Sequence, residues 1–128
     1  MFCFRIAALA VLLVSALAIQ HGVAQTSENL PTLPGAQKMS ENPTGKGTHY
    51  YYQTSNSPAS IVDGYKEPLR STGWKIERSG SGGGEWGGTA SLTATKGQSY
   101  LVLQAGGPRG KTFVNLCVWP SLPDNDYC

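Results

Sequence analysis

Ile61, Tyr65 and Leu69 recur at four-residue spacing, with Val62 beside the first of them. That spacing lays an apolar stripe along one side of a helix, and residues 57–74 are the only segment whose pattern reads this way. Ser57 is a good N-cap residue, and Pro58 falls at the first helical position, where its missing N–H costs nothing. Gly73 supplies a left-handed C-terminal position, and Trp74 is expected to open the next strand. Pro68 lies inside the stripe and would remove the hydrogen bond to the Gly64 carbonyl, a cost of roughly 3 kcal/mol in a regular helix. A kink or an early break near Glu67 is therefore expected. Burial of the four stripe residues, at about 1.5 to 3 kcal/mol each, is enough to offset the defect. Asp63, Lys66, Glu67 and Arg70 mark the solvent side as opposite charges three apart.

The remaining pattern is β-like. Residues 48–54 are dense in aromatic and β-favouring side chains, with Tyr50, Tyr52 and Thr54 on one face and the more polar His49, Tyr51 and Gln53 on the expected outer face. Residues 74–78 alternate apolar and charged, with Trp74 and Ile76 directed inward. Residues 79–88 consist of Gly, Ser, Glu85 and Trp86 and read as a flexible connection. Residues 90–96 and 99–105 form a hairpin about Gly97 and Gln98, and a second glycine-rich turn at 106–110 leads into the nearly all-apolar run 111–119. So apolar a strand belongs in the middle of a sheet or is covered on both faces. The order β-α-β-β-β-β predicts an α+β fold: a mainly antiparallel sheet of about four or five strands with the single helix packed on one face. If the first two strands were parallel neighbours, their crossover would be right-handed.

Before the β-like region, Arg5 precedes an apolar run over residues 6–18, interrupted only by Ser15 and followed by small residues. This describes a secretory signal peptide, residues 1–24, cleaved after Ala18 or Ala24, and the run is shorter than the roughly 20 residues of a membrane span. Residues 25–47, rich in Pro, Ser, Thr, Gly and Asn, are expected to be a flexible arm, leaving 48–128 as a single domain. The expected location is periplasmic or secreted, with no stable membrane span after cleavage. The chain's net charge of +2 falls to +1 without Arg5, too small and scattered for a nucleic-acid footprint. Cys3 would leave with the signal, so Cys117 and Cys128 remain as an even pair for an oxidising compartment. A bridge between them would pin the turn-rich tail and stabilise by roughly 3 kcal/mol.

Ser57, Pro58, Ile61 or Val62, Tyr65, Leu69, Gly73 and Trp74, together with Leu92-Thr93-Ala94-Thr95-Lys96-Gly97, carry a resemblance. The chain resembles a family of small bacterial periplasmic or secreted proteins. These share a tyrosine-bearing strand, a Ser-Pro…Tyr…Leu…Gly-Trp helix and a Thr/Gly-rich β-meander. The resemblance covers residues 48–118 and implies packing; it assigns no functional residues. Pro68 and Ser60, where the family's helix usually carries an acidic residue, depart from the pattern.

Candidate chemistry is sparse. The run 106–112 superficially resembles a phosphate-binding loop, but Ala105 occupies the required glycine position and a strand follows instead of a helix, which argues against a nucleotide. His49 is the only histidine beyond the signal and lacks evident partners for a triad or a metal. Glu85 beside Trp86 lacks a second, positioned carboxylate for glycoside hydrolysis. No catalytic, cofactor-binding or metal-binding residue is assigned, and no cofactor is expected. Aromatic side chains exceed the evident needs of the core, so Tyr51, Trp86 and Trp119 are candidate partner-binding residues. The expectation is a non-catalytic envelope domain binding a protein partner or a cell-wall component. The alternatives are a structural or accessory protein acting through its sheet edge and, last, a hydrolase.

Overall fold

The computed structural model describes residues 30–44 and 46–128. The expected signal peptide, residues 1–24, and the start of the expected arm lie outside the described residues. One helix, α1 (Pro58–Ser71), packs on a six-stranded antiparallel sheet. The strands are β1 (Gln37–Thr44), β2 (Gly47–Thr54), β3 (Lys75–Gly84), β4 (Gly87–Lys96), β5 (Ser99–Pro108) and β6 (Thr112–Trp119). In space they run β1-β2-β6-β5-β4-β3.

The sheet thus holds one strand more than the upper expectation, because β1 forms within the segment read as a flexible arm. Its polar sequence gives no alternation, yet it pairs with β2 from Gln37 opposite Gln53 to Thr44 opposite Gly47. Ahead of it, Leu33 is 1% exposed within the main core and Tyr65 Oη donates to the Pro31 carbonyl at 2.9 Å. The glycine-rich stretch 79–88 is also not a loose connection. β3 continues to Gly84, and a two-residue turn at Glu85 and Trp86 returns the chain as β4. Nor are β2 and β3 neighbours. β2 pairs with β6, while β3 is the opposite edge, so α1 spans the sheet and packs against β3, β4 and β5.

The helix runs unbroken from Pro58 to Ser71, without the break expected near Glu67. Gly64, whose carbonyl lacks a helical donor because of Pro68, is exposed to solvent. The Ser57 hydroxyl caps the N-terminus by accepting from Ser60 N–H at 3.2 Å. At the other end, Gly73 N–H donates to the Arg70 carbonyl and Trp74 N–H to the Leu69 carbonyl, both at 3.0 Å, with Gly73 at φ +93°. That is a Schellman closure, and it places Trp74 before β3 instead of within it.

Ile61, Val62, Tyr65 and Leu69 meet Leu92, Ala94, Leu101, Leu103, Val114 and Leu116 in the core, with Tyr50 and Tyr52 packed at its margin. Register assigns the two sheet faces: Tyr52 opposes Val114, which opposes Ala105, which opposes Ala90. The other face carries His49, Tyr51, Phe113, Asn115, Cys117, Trp119, Tyr100 and Val102. There the Cys117–Cys128 disulfide, with Cα atoms 5.5 Å apart, draws the C-terminal tail back over the sheet, where Val102, Cys117 and Tyr100 are buried.

Candidate functional site

Strand direction gives the sheet two unlike ends. At one end lie Thr54, Thr112, Pro108, Gly87 and Gly84; at the other lie Gly47, Trp119, Ser99, Lys96 and Lys75. The first end is also where β2 turns into α1, so the helix N-terminus stands over it. A cleft of about 720 Å³ opens there. Its walls are Ser55, Ser57, Pro58 and Ala59 from the helix entrance, Ser81 and the glycines of the β3–β4 hairpin, and Gly107, Pro108, Arg109, Gly110 and Thr112 from the end of β5 to the start of β6.

Glycine is required structurally in two of these walls. Gly87 and Gly107 have φ +154° and +155°, and a Cβ on either would stand 2.2 Å from a backbone carbonyl oxygen, that of Gly107 or of Lys111 respectively. Close backbone approach between the β3–β4 hairpin, the end of β5 and the following loop therefore shapes the cleft. Arg109 N–H donates to the Trp86 carbonyl at 3.3 Å, tying that loop to the hairpin tip. Trp86, next to Gly87 in the cleft wall, is 86% exposed. An indole so open to water contributes little to the fold and offers a flat apolar face to a ligand.

Among the described residues, the sole ionisable side chain in the cleft wall is Arg109. It is exposed and, among the described residues, has no carboxylate within ion-pair distance, whereas the helix charges pair locally as Lys66 with Asp63 and Arg70 with Glu67, each at 2.9 Å. Thr112 lines the same cleft and is 2% exposed. Its neighbour across the ladder, Thr54, is also buried but fully engaged: its hydroxyl donates to the Gly35 carbonyl at 2.9 Å and accepts from Asn56 N–H at 3.1 Å. The Thr112 hydroxyl has no hydrogen-bond partner among the described residues.

The three aromatic candidates do not converge. Tyr51 lies half-buried on the face away from the helix, stacked on Phe113 with ring centroids 6.0 Å apart. Trp119 lies at the opposite end from Trp86, half-buried and tilted against Tyr100 at 6.1 Å. Only Trp86 adjoins a cleft, and no local pattern marks that setting because the cleft is assembled from three separated segments, two of them glycine-rich. The 106–112 loop has a helix end beside it only in space: β6 follows it in sequence, yet the N-terminus of α1 stands beside it from elsewhere in the chain.

His49, Cys117 and Cys128 place ring nitrogen and sulfur atoms within 4.8 Å of one another. The two sulfurs are bonded to each other, so their thiolate donor capacity is absent in this state. His49 Nε2 is instead 2.9 Å from Asn115 Oδ1. Asp63, Glu85 and His49 all lie outside the cleft wall. Elsewhere, burial pushes the Tyr65 hydroxyl well above its ordinary pKa and, less strongly, raises Tyr50 and Tyr52; a hydrogen bond from Thr95 holds the Glu77 carboxyl below the usual range.

Compared with known proteins, the chain matches no family model and no curated protein sequence.

Proposed function

We propose that the protein is a non-catalytic, exported domain that binds a cell-wall component, a glycan, in the glycine-walled cleft, with Trp86 as the aromatic platform at its rim. The observation that carries this reading is an 86% exposed tryptophan next to a cleft of about 720 Å³. Clefts of that size suit a small ligand, and an indole face matches the apolar face of a sugar ring. The cysteine pair, bridged across the C-terminal tail, suits an oxidising envelope compartment. Catalysis finds no support in the wall, which presents hydroxyls, backbone and one arginine but no carboxylate or histidine to move a proton.

The test is co-sedimentation of the mature chain with purified, insoluble cell-wall glycan, beside a Trp86→Ala variant. The reading expects the wild-type chain in the pellet and the variant in the supernatant. Equal pelleting of the two, or none by either, defeats it.

A second reading has its own observation. Both edges of the sheet are exposed, but β1 carries Lys38, Pro43 and a bulge after Lys38, whereas β3 from Ser79 to Gly84 carries neither Lys nor Pro. An unprotected edge of that kind suits association by strand addition. It would leave binding insensitive to Trp86→Ala and sensitive to Ser81→Pro.

A further inference from the structure

We infer that the cleft takes an anionic ligand: the group seated against its floor is a carboxylate or phosphate carried on an amino sugar, held by Arg109, the Thr112 hydroxyl and the Ala59 N–H. This rests on the glycan reading above and narrows it.

Three observations converge on negative charge. The first is the charge pattern of the wall, where, among the described residues, Arg109 stands without a counter-charge and no Asp or Glu lines the space. Arginine presents a planar fork of donors that matches a carboxylate or a phosphate, and an unpaired one in a cleft favours a ligand of opposite charge. The second is the Thr112 hydroxyl, 2% exposed and without a partner among the described residues, while the facing Thr54 hydroxyl is doubly engaged. Buried hydroxyls in folded proteins are satisfied, so a polar atom left open in a cleft wall marks where a ligand atom completes the bonding. The third is the entrance of α1, a 14-residue helix whose N-terminal residues Pro58 and Ala59 line the same space. Pro58 has no N–H and Ser60 N–H is occupied by the Ser57 hydroxyl, so Ala59 N–H is the donor that remains in the first turn ahead of the Ile61 bond to the Ser57 carbonyl. The partial positive charge of the helix end acts in the same direction as Arg109.

These groups come from two separated parts of the chain, 55–59 and 107–112, and the glycine-rich stretch 81–88 completes the wall. The loop that fails as a phosphate motif by local sequence thus acquires a helix N-terminus from a distant segment. The surrounding glycines keep side chains out of the way, so a ligand can approach the backbone closely.

The experiment is an amide-resolved NMR titration of the mature chain with three probes: N-acetylglucosamine, which is neutral, N-acetylmuramic acid, which adds a carboxylate, and N-acetylglucosamine 1-phosphate. The inference expects at least one anionic sugar to bind ten-fold or more tightly than the neutral one, with shifts at Ala59, Gly83, Arg109 and Gly110. Arg109→Gln, at an exposed position, should abolish that preference by bringing the anionic sugars down to the affinity of the neutral one, with amide resonances away from the cleft showing the fold intact. Arg109→Lys should restore part of it, and Thr112→Val should weaken the anionic sugars several-fold. Whichever anionic sugar binds tighter identifies the carboxylate or the phosphate as the seated group. Equal binding of all three probes, lost in Trp86→Ala, overturns the anionic inference and leaves the glycan reading standing. No binding by any probe overturns the anionic inference, and co-sedimentation then decides the glycan reading by itself.

Discussion

The two ends of the sheet solve the problem of chain termination in opposite ways. One end is closed: Cys117 and Cys128 join the tail to the sheet, Trp119 packs on Tyr100, and the tail lies over the face away from the helix. The other is open: hairpin and loop meet backbone to backbone through glycines, and what they leave between them is a cleft. The first end invests large side chains and a covalent bond in stability. The second gives up side-chain packing, and the space so made is available to a ligand. Stability and recognition are therefore expected to separate under mutation according to the end that is touched.

The strongest way to break this contrast is to crowd the open end. Gly107→Ala places a methyl 2.2 Å from the Lys111 carbonyl oxygen at a φ that L-residues avoid, and Gly87→Ala does the same against Gly107. Strain and overpacking together predict a loss on the order of 3 to 4 kcal/mol, read from denaturant midpoints. A loss below about 1 kcal/mol would mean that the cleft backbone is soft and not specified by these glycines.

Next comes the closed end. Cys128→Ser should cost about 3 kcal/mol by freeing the tail, and it should leave sugar binding at the distant cleft unchanged. A matching loss of binding would show that the ends are coupled.

Tyr65 lies in the core between them and gives a pH signature. Its hydroxyl is buried and donates to Pro31, so the folded state retains the proton above the ordinary tyrosine pKa of about 10. The unfolded chain releases that proton first, so stability is level with respect to this group below about pH 10 and falls as pH rises beyond it. Tyr65→Phe should flatten the alkaline fall at a cost of about 1 to 2 kcal/mol at neutral pH, since the Pro31 carbonyl loses its donor. Denaturant midpoints measured from pH 8 to 11.5 check both signs.

The smallest effect on stability belongs to Trp86→Ala, within about 0.5 kcal/mol, because the ring is 86% exposed. The same variant is the one expected to abolish pelleting with cell-wall glycan, which makes it the sharpest separation of the two properties.

The legible part of this fold was the part written in side chains. The stripe Ile61, Val62, Tyr65 and Leu69 is buried as its spacing required, the 90–96 and 99–105 hairpin forms, the apolar run 111–119 lies inside the sheet as β6 from Thr112, and the two late cysteines meet. Tyr50 and Tyr52 face the core, leaving the more polar set on the opposite face. What escaped was written in backbone. Ser79 to Gly84 has no periodicity to read, and its place in the sheet comes from pairing with β4. β1 is similarly polar and is defined by its partner, although Leu33 ahead of it was a readable apolar signal in a segment otherwise poor in them. The cleft was illegible for the same reason: its walls are mostly glycine and serine, and their convergence depends on strand order. Pro68 misled in the other direction, because an exposed Gly64 lets the helix tolerate a missing donor.

The position of β6 has a temporal consequence. Among the described residues it is the last strand in sequence, yet it is the sole link in the sheet between the β1–β2 ribbon and the β3–β4–β5 meander. Until Trp119 has emerged, whether from a ribosome or from a translocation pore, those two pieces have no shared ladder. The sheet therefore closes only once β6 is available to both pieces, as an arch stands only when its keystone is set.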